Sequence, residues 1–239
     1  MKKILSGLQG VELYIYMDDV IIYADSLRTH QIKLEKFLGR IQTARLTLQP
    51  EKCLFLRREV TYLGHLISEN GVRPDPQKTQ AVKNFPRPKT TKHIKQYLGL
   101  CGYYRRHIPN FALIAKPLTS LLKKETPFSW GEKQEKAFTT LKDVLCSAPI
   151  LQYPNFSEPF LITTDASFFA IGCVLSQGKI GQDLPIAYAS RTLNSAEVKY
   201  LVTDKEFLAI IFALGLVYIT AKSLRKQQAQ VKSQKKISV

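Results

Sequence analysis

Val11-Glu-Leu-Tyr-Ile-Tyr-Met-Asp18-Asp19-Val-Ile-Ile-Tyr-Ala24 decides how the chain is read, because it sets two adjacent carboxylates between two apolar runs. Both flanks are short and rich in Ile, Val and Tyr, the length and composition of strands rather than helices. The segment is therefore expected to form a β-hairpin with Asp18 and Asp19 at its tip. Asp is also common in tight turns, where its side chain bonds nearby amides, so the pair is open to a reading as turn chemistry alone. Against that, two like charges at the end of hydrophobic strands repel each other unless a cation sits between them, and hard divalent ions such as Mg²⁺ prefer oxygen ligands. On the residues alone, metal site and plain turn remain alternatives.

Around this segment the 239-residue chain is 45% hydrophobic, enough for one large or two to three small domains with cores of their own. No run of about 18 apolar residues occurs, and Met1-Lys2-Lys3-Ile4-Leu5-Ser6 lacks the apolar stretch of a signal peptide. A soluble protein of the cytoplasm or nucleus, without membrane contact, is expected. Cys53, Cys101, Cys146 and Cys173 form no Cys-x-x-Cys pair and have no histidine at zinc-ligand spacing, so they read as reduced core cysteines. The formal charge is +16, unevenly spread: residues 1–159 carry 25 basic against 14 acidic side chains, 160–219 carry 4 against 5, and 220–239 carry 6 against none. That excess points to a polyanionic partner, nucleic acid before membrane, with lysines scattered for solubility as the alternative.

In chain order, His30 to Leu48 has a helical rhythm that ends before Pro50. Lys52–Phe55 and Val60–Ile67 read as short strands, and Gly64 within Tyr62-Leu63-Gly64-His65 would allow close approach of a backbone or ligand. Asp75-Pro76 looks like a helix cap followed by Pro at the first helical position, starting a helix that stops before Pro86. A second helix follows Thr90 or Thr91 to about His107, and a third runs through Ile114, Leu118 and Leu121. The middle one ends in Tyr103-Tyr104-Arg105-Arg106, where aromatic and guanidinium groups together suit bases and phosphates, although tyrosines at helical spacing also suit a core. A helix near Lys133–Cys146 follows Trp130, and then Pro149, Pro154 and Pro159 punctuate a connection. Strands are expected over Phe160–Ser167, Ala170–Gln177 and Leu184–Leu193, with a long helix from about Ser195 to Leu216 whose Glu206, close to an apolar face, lies either at its exposed border or against a partner such as a metal. Residues 220–239 read as a solvated or disordered basic tail.

Taken together, these segments resemble the Pol polyprotein of gypsy-class LTR retrotransposons over roughly nine tenths of the chain. The likeness rests on Tyr16-Met17-Asp18-Asp19, Val60-Thr-Tyr-Leu-Gly-His65, Leu98-Gly-Leu-Cys-Gly-Tyr-Tyr-Arg-Arg106, Thr164-Asp-Ala-Ser167, Ile171-Gly-Cys-Val-Leu-Ser-Gln177, Pro185-Ile-Ala-Tyr-Ala-Ser-Arg191 and Lys205-Glu206, all in one order. The resemblance implies an α+β fold: a partial reverse-transcriptase palm at 1–72, a helical thumb at 73–125, a connection at 126–159, and at 160–219 part of an RNase H-like mixed sheet with one long helix. It implies RNA-directed DNA synthesis and RNA-strand hydrolysis by Mg²⁺-dependent phosphoryl transfer, on a primer–template or RNA–DNA hybrid.

By the same resemblance, Asp18 and Asp19 match the palm's hairpin carboxylates, and Asp165 and Glu206 match the first two acids of the RNase H site. Tyr62, Gly64 and His65 match a hairpin that grips the primer backbone, and Tyr104, Arg105 and Arg106 are further nucleic-acid contacts. The family's remaining metal-binding acids find no counterpart in this sequence, so both sites are expected to be incomplete and the isolated chain inactive. The alternative is a non-catalytic nucleic-acid-binding module derived from a retroelement.

Overall fold

Leu13 and Ile15 alternate with Tyr14 and Tyr16, and in the computed structural model, which describes residues 1 and 3–217, the first pair is buried and the second exposed. This is strand β1 (Leu13–Tyr16), joined by a two-residue turn to antiparallel β2 (Asp19–Ile22). Helix α1 (Leu27–Thr43) packs Phe37 and Ile41 against Leu5, Leu13 and Ile15. It begins before the expected His30 because the Ser26 side chain caps it, accepting from the Thr29 N–H at 3.2 Å. It stops short of Leu48 because Arg45 turns left-handed (φ 54°). The strand expected over Lys52–Phe55 is absent: Pro50–Lys52 forms a 3₁₀ turn, and the exposed Leu54 and Phe55 have no strand to pair with among the described residues. Residues 1–57 form one compact unit and 58–217 another.

The second unit starts with an antiparallel sheet of β3 (Glu59–Tyr62), β4 (His65–Ser68) and β5 (Gly71–Pro74), so Val60–Ile67 is a hairpin rather than one strand. The expected cap holds: Asp75 Oδ1 accepts from the Gln77 N–H at 2.9 Å and starts α2 (Pro76–Lys83). Helices α3 (Thr91–Tyr103), α4 (Phe111–Ser120) and α5 (Glu132–Cys146) follow, close to their expected spans. Their apolar faces share a core of Ile94, Tyr97, Ile108, Leu118, Phe138, Leu141 and Leu145. The Tyr97 hydroxyl inside it donates to the Phe138 carbonyl at 2.8 Å.

Strands β6 (Leu161–Ala166), β7 (Ala170–Gln177) and β8 (Leu184–Thr192) form a sheet that is antiparallel throughout, where a mixed sheet is expected. Short turns join these consecutive strands, and only antiparallel pairing allows that. Helix α6 (202–217) buries Ala209 on this sheet against Ile171 and Leu193. It starts later than Ser195 because the Glu197 carboxylate is drawn into a two-pronged pair with Arg191, at 2.7 and 2.9 Å, and Glu197–Lys199 forms a short 3₁₀ turn instead. Of the cysteines, Cys101 and Cys173 are buried as expected, but Cys146 at the end of α5 is exposed and Cys53 half-buried. The expected tail at 220–239 lies outside the described residues.

Truncating Leu118 or Leu141, both fully buried in the helical core, removes contacts that cannot close up. Leu118→Ala and Leu141→Ala are each expected to lower stability by about 2–5 kcal/mol in urea titrations. A loss below half a kilocalorie for both would contradict the core assignment.

Candidate metal and nucleic-acid sites

The core under β1 holds the hairpin from below and leaves its tip in solvent. Met17 and Asp18 make the turn, Asp19 opens β2 opposite Tyr16, and both carboxylates are exposed. Met17 takes a left-handed conformation (φ 52°) and is 73% exposed. A bulky side chain there costs of the order of 1 kcal/mol, and such strain is a feature of functional turns. No cationic side chain forms an ion pair with Asp18 or Asp19 among the described residues. The donors suit a hard divalent ion in kind, yet no group of three or more His, Cys, Asp or Glu comes together among the described residues.

Asp165 lies near the end of β6, exposed, and Glu206 is half-buried one turn before Ala209 on α6. Ala166, next to Asp165, packs against the cluster of Ile171, Leu193 and Ala209, so the two acids sit on elements that share a small core. Alternation along the strand, however, puts Asp165 on the same face as its partner Gly172 and as Ser190, and that face looks toward Asn110. A Cβ at Gly172 would come within 2.4 Å of Asn110 Oδ1, so only glycine admits this approach. Asp165 and Asn110 line a cleft of about 80 Å³ with Thr163, Val174 and Tyr188.

The β3–β4 turn is built differently. Leu63 and Gly64 both have positive φ (49° and 68°), a two-residue turn matched to the twist of the strands. The Tyr103 hydroxyl donates to the Leu63 carbonyl at 2.6 Å and the Tyr104 hydroxyl to the Gly64 carbonyl at 2.7 Å. His65 stacks at 5.5 Å on His107, lies edge-on to Tyr104 at 5.3 Å, and brings Nδ1 to the Leu63 carbonyl at 2.9 Å. Four rings thus clamp the turn to the end of α3.

Among the expected contacts, Tyr104 is therefore 3% exposed and inside the clamp, with no free face for a base. Arg105 donates to the Ser190 carbonyl at 2.6 Å and lies over the Phe111 ring, whereas Arg106 is exposed. Tyr62 and His65 are half-buried, and Gly64 is the turn itself. Sequence reasoning passed over His107 and Asn110, and read Tyr103 with Tyr104 as a surface for bases or part of a core. The doubled tyrosine was visible, but nothing local tells a clamp from a stacking platform.

This combination of exposed hairpin carboxylates, a helical core and an antiparallel sheet carrying one helix resembles that of reverse transcriptases with an RNase H-like domain. The family of reverse transcriptases (RNA-dependent DNA polymerase) matches residues 1–67, and the RNase H-like domain found in reverse transcriptase matches residues 130–223. The chain is similar over most of its length to the Pol polyproteins of LTR retrotransposons. It is 42% identical over 214 residues to the retrovirus-related Pol polyprotein from transposon 297 of Drosophila melanogaster, covering 89% of this chain and 20% of that protein. For the transposon gypsy polyprotein of the same organism the identity is 38%, over 86% of this chain and 21% of that protein. The transposon Tf2-3 polyprotein of Schizosaccharomyces pombe is 36% identical, over 90% and 16%. The chain thus spans about a fifth of the length of these relatives.

A foamy viral protease-reverse transcriptase in complex with double-stranded DNA superposes with a TM-score of 0.79 at 25% identity, over 93% of this chain and 38% of that one. The same type of protein in complex with an RNA/DNA hybrid gives 0.76 at 26%, over 89% and 29%. Both matching families use divalent metal ions. No helix among the described residues is long and apolar enough to cross a membrane.

Burial, reinforced by the nearby charges of His65 and Arg106, pushes the His107 imidazole from its ordinary 6.5 down to about 4, and burial also lowers His65. Tyr103 and Tyr104 are the other titratable groups against these rings, and Asp75 lies near Tyr104. An opened clamp binds protons more readily than a closed one, so the stability the neutral rings confer is complete above pH 6.5 and is lost as pH falls through about 4. Thermal unfolding followed from pH 7 to pH 4 is expected to show this loss, and His107→Phe to flatten it. An unchanged profile in His107→Phe would rule out His107 as its source.

Proposed function

We propose that this chain serves RNA-directed DNA synthesis and RNA-strand hydrolysis as part of a retrotransposon Pol protein, in the cytoplasm or nucleus. Residues 1–72 act as part of the palm, 73–125 as thumb, 126–159 as connection and 160–219 as part of the RNase H-like domain. Asp18 and Asp19 would hold Mg²⁺ for polymerisation; Asp165 and Glu206 would hold it for hydrolysis only if brought together, since Asp165 faces Asn110 while its neighbour Ala166 packs toward α6. When bound, such ions neutralise charge on the transferred phosphoryl group and orient the attacking oxygen. The hairpin presents its carboxylates on a short turn backed by core residues, so their position costs little reorganisation. The turn at Tyr62, Gly64 and His65 holds the primer backbone, and Arg105 and Arg106 add positive charge near a primer–template or RNA–DNA hybrid. The observation that carries this reading is the exposed Asp18-Asp19 pair, unneutralised among the described residues, on a two-residue hairpin turn.

A chimaera with residues 1–217 in place of the matching segment of the transposon 297 polyprotein tests it. Primer extension and hybrid cleavage in Mg²⁺ are both expected. Asp18→Asn should lower extension by at least about 100-fold and spare cleavage, and Asp165→Asn should do the reverse. Extension at the parental rate by the Asp18→Asn chimaera would overturn the assignment. The 239-residue chain alone is expected to turn over neither substrate, since no three-ligand group forms among its described residues.

The second reading, a non-catalytic nucleic-acid-binding module, is favoured by the 25 basic against 14 acidic residues in 1–159. It predicts hybrid affinity that falls log-linearly with salt. Weak, salt-insensitive binding would remove it.

A further inference from the structure

The Leu63–Gly64 turn has its two kinds of polar group sorted to opposite sides. The Leu63 carbonyl accepts from the Tyr103 hydroxyl and lies 2.9 Å from His65 Nδ1. The Gly64 carbonyl accepts from the Tyr104 hydroxyl and, at 3.0 Å, from the Asp75 N–H. Both carbonyls are thus engaged from the α3 side, whereas the N–H groups of Leu63 and Gly64 make no hydrogen bond among the described residues. In a trans peptide the N–H points opposite to the C=O, so the Gly64 N–H, at least, faces away from the clamp. Adjacent unpaired amides on a tight turn make an anion-binding concavity, and Arg106 adds positive charge nearby.

We propose that Tyr103 and Tyr104 are positioning residues: their hydroxyls hold the turn's carbonyls inward, so that the turn offers only N–H donors to a phosphate. Neither tyrosine touches the ligand through its hydroxyl. Without those hydroxyls the carbonyls keep only the His65 Nδ1 and Asp75 N–H contacts, so the turn is held less firmly and can swing a carbonyl outward, where its partial negative charge repels the anion that the amides attract. The left-handed conformation at Leu63 makes such a reversal easy, because a leucine held there is strained. Gly64 leaves room for the clamp, since a Cβ on it would lie 3.2 Å from the Tyr104 hydroxyl. The proposal rests on the reading of this turn as a nucleic-acid contact.

The test uses the 239-residue chain with Tyr103→Phe and Tyr104→Phe combined, which removes two hydroxyls and little volume. Tyr97→Phe serves as control, since it deletes a buried hydroxyl in the helical core instead. Amide NMR shifts of Leu63 and Gly64 are followed during titration with inorganic phosphate, and RNA–DNA hybrid affinity is measured across salt concentrations. The double variant is expected to lose the phosphate-induced shifts, to bind hybrid about tenfold more weakly, and to lower the salt slope by about one phosphate contact. Tyr97→Phe should lower the unfolding midpoint but keep shifts and slope. Phosphate shifts of wild-type size in the double variant would overturn the proposal. If the wild-type chain shows phosphate shifts that the double variant loses, but binds no hybrid, the positioning role stands and the nucleic-acid reading falls.

Discussion

Helix α4 is buried on two sides, against α5 and against strands β7 and β8, and the arrangement of residues 58–217 depends on that double contact. Ala115, Leu118 and Leu121 enter the helical core. On the sheet side, the N–H of Ala112 donates to Ser190 Oγ at 2.9 Å, and Asn110, in a left-handed conformation, closes on Gly172. A hydroxyl and a missing Cβ thus let a helix sit directly on a strand pair where larger side chains would hold it off. Arg105 adds a third tie through the Ser190 carbonyl. One short helix thereby couples the clamp at the end of α3 to the sheet that carries Asp165.

Both candidate turns follow one design. Each is a two-residue connection between antiparallel strands, and each puts a bulky residue, Met17 or Leu63, at positive φ where glycine or asparagine would be comfortable. Strain of this kind persists only where the surroundings impose it. At the first turn the apolar underside of the hairpin does so, with Leu13 and Ile15 locked against Phe37 and Ile41. At the second, the hydroxyls of Tyr103 and Tyr104 do so. The carboxylates of one and the Gly64 N–H of the other face outward, which suits a metal ion and a phosphate respectively.

Much of the fold was legible in the sequence because its signals were local. The caps at Asp75 and Thr90, the apolar spacing of α3 to α5, and the alternating runs of β6 to β8 all act within a few residues. The errors came where a distant or competing contact overrode the pattern. Lys52–Phe55 has strand composition but no strand to pair with among the described residues, and the start of α6 is delayed by the pull of Arg191 on Glu197. The Asp18-Asp19 tip was readable because a hairpin places its own turn residues. The role of Tyr104 was not, since its partner carbonyl lies 40 residues away in sequence.

The sequence by itself determined the elements and their order, the hairpin carrying two carboxylates, and the kinship with retrotransposon Pol proteins, since periodicity, capping and motif strings are properties of neighbouring residues. The tertiary structure alone decided which polar groups remain available. It turned Asp165 toward Asn110, drew Tyr104 and His107 into a buried clamp, and left the Gly64 N–H facing away from that clamp. Each of these depends on which face meets which partner across long stretches of chain, and backbone hydrogen bonding and packing settle that only once the chain has folded.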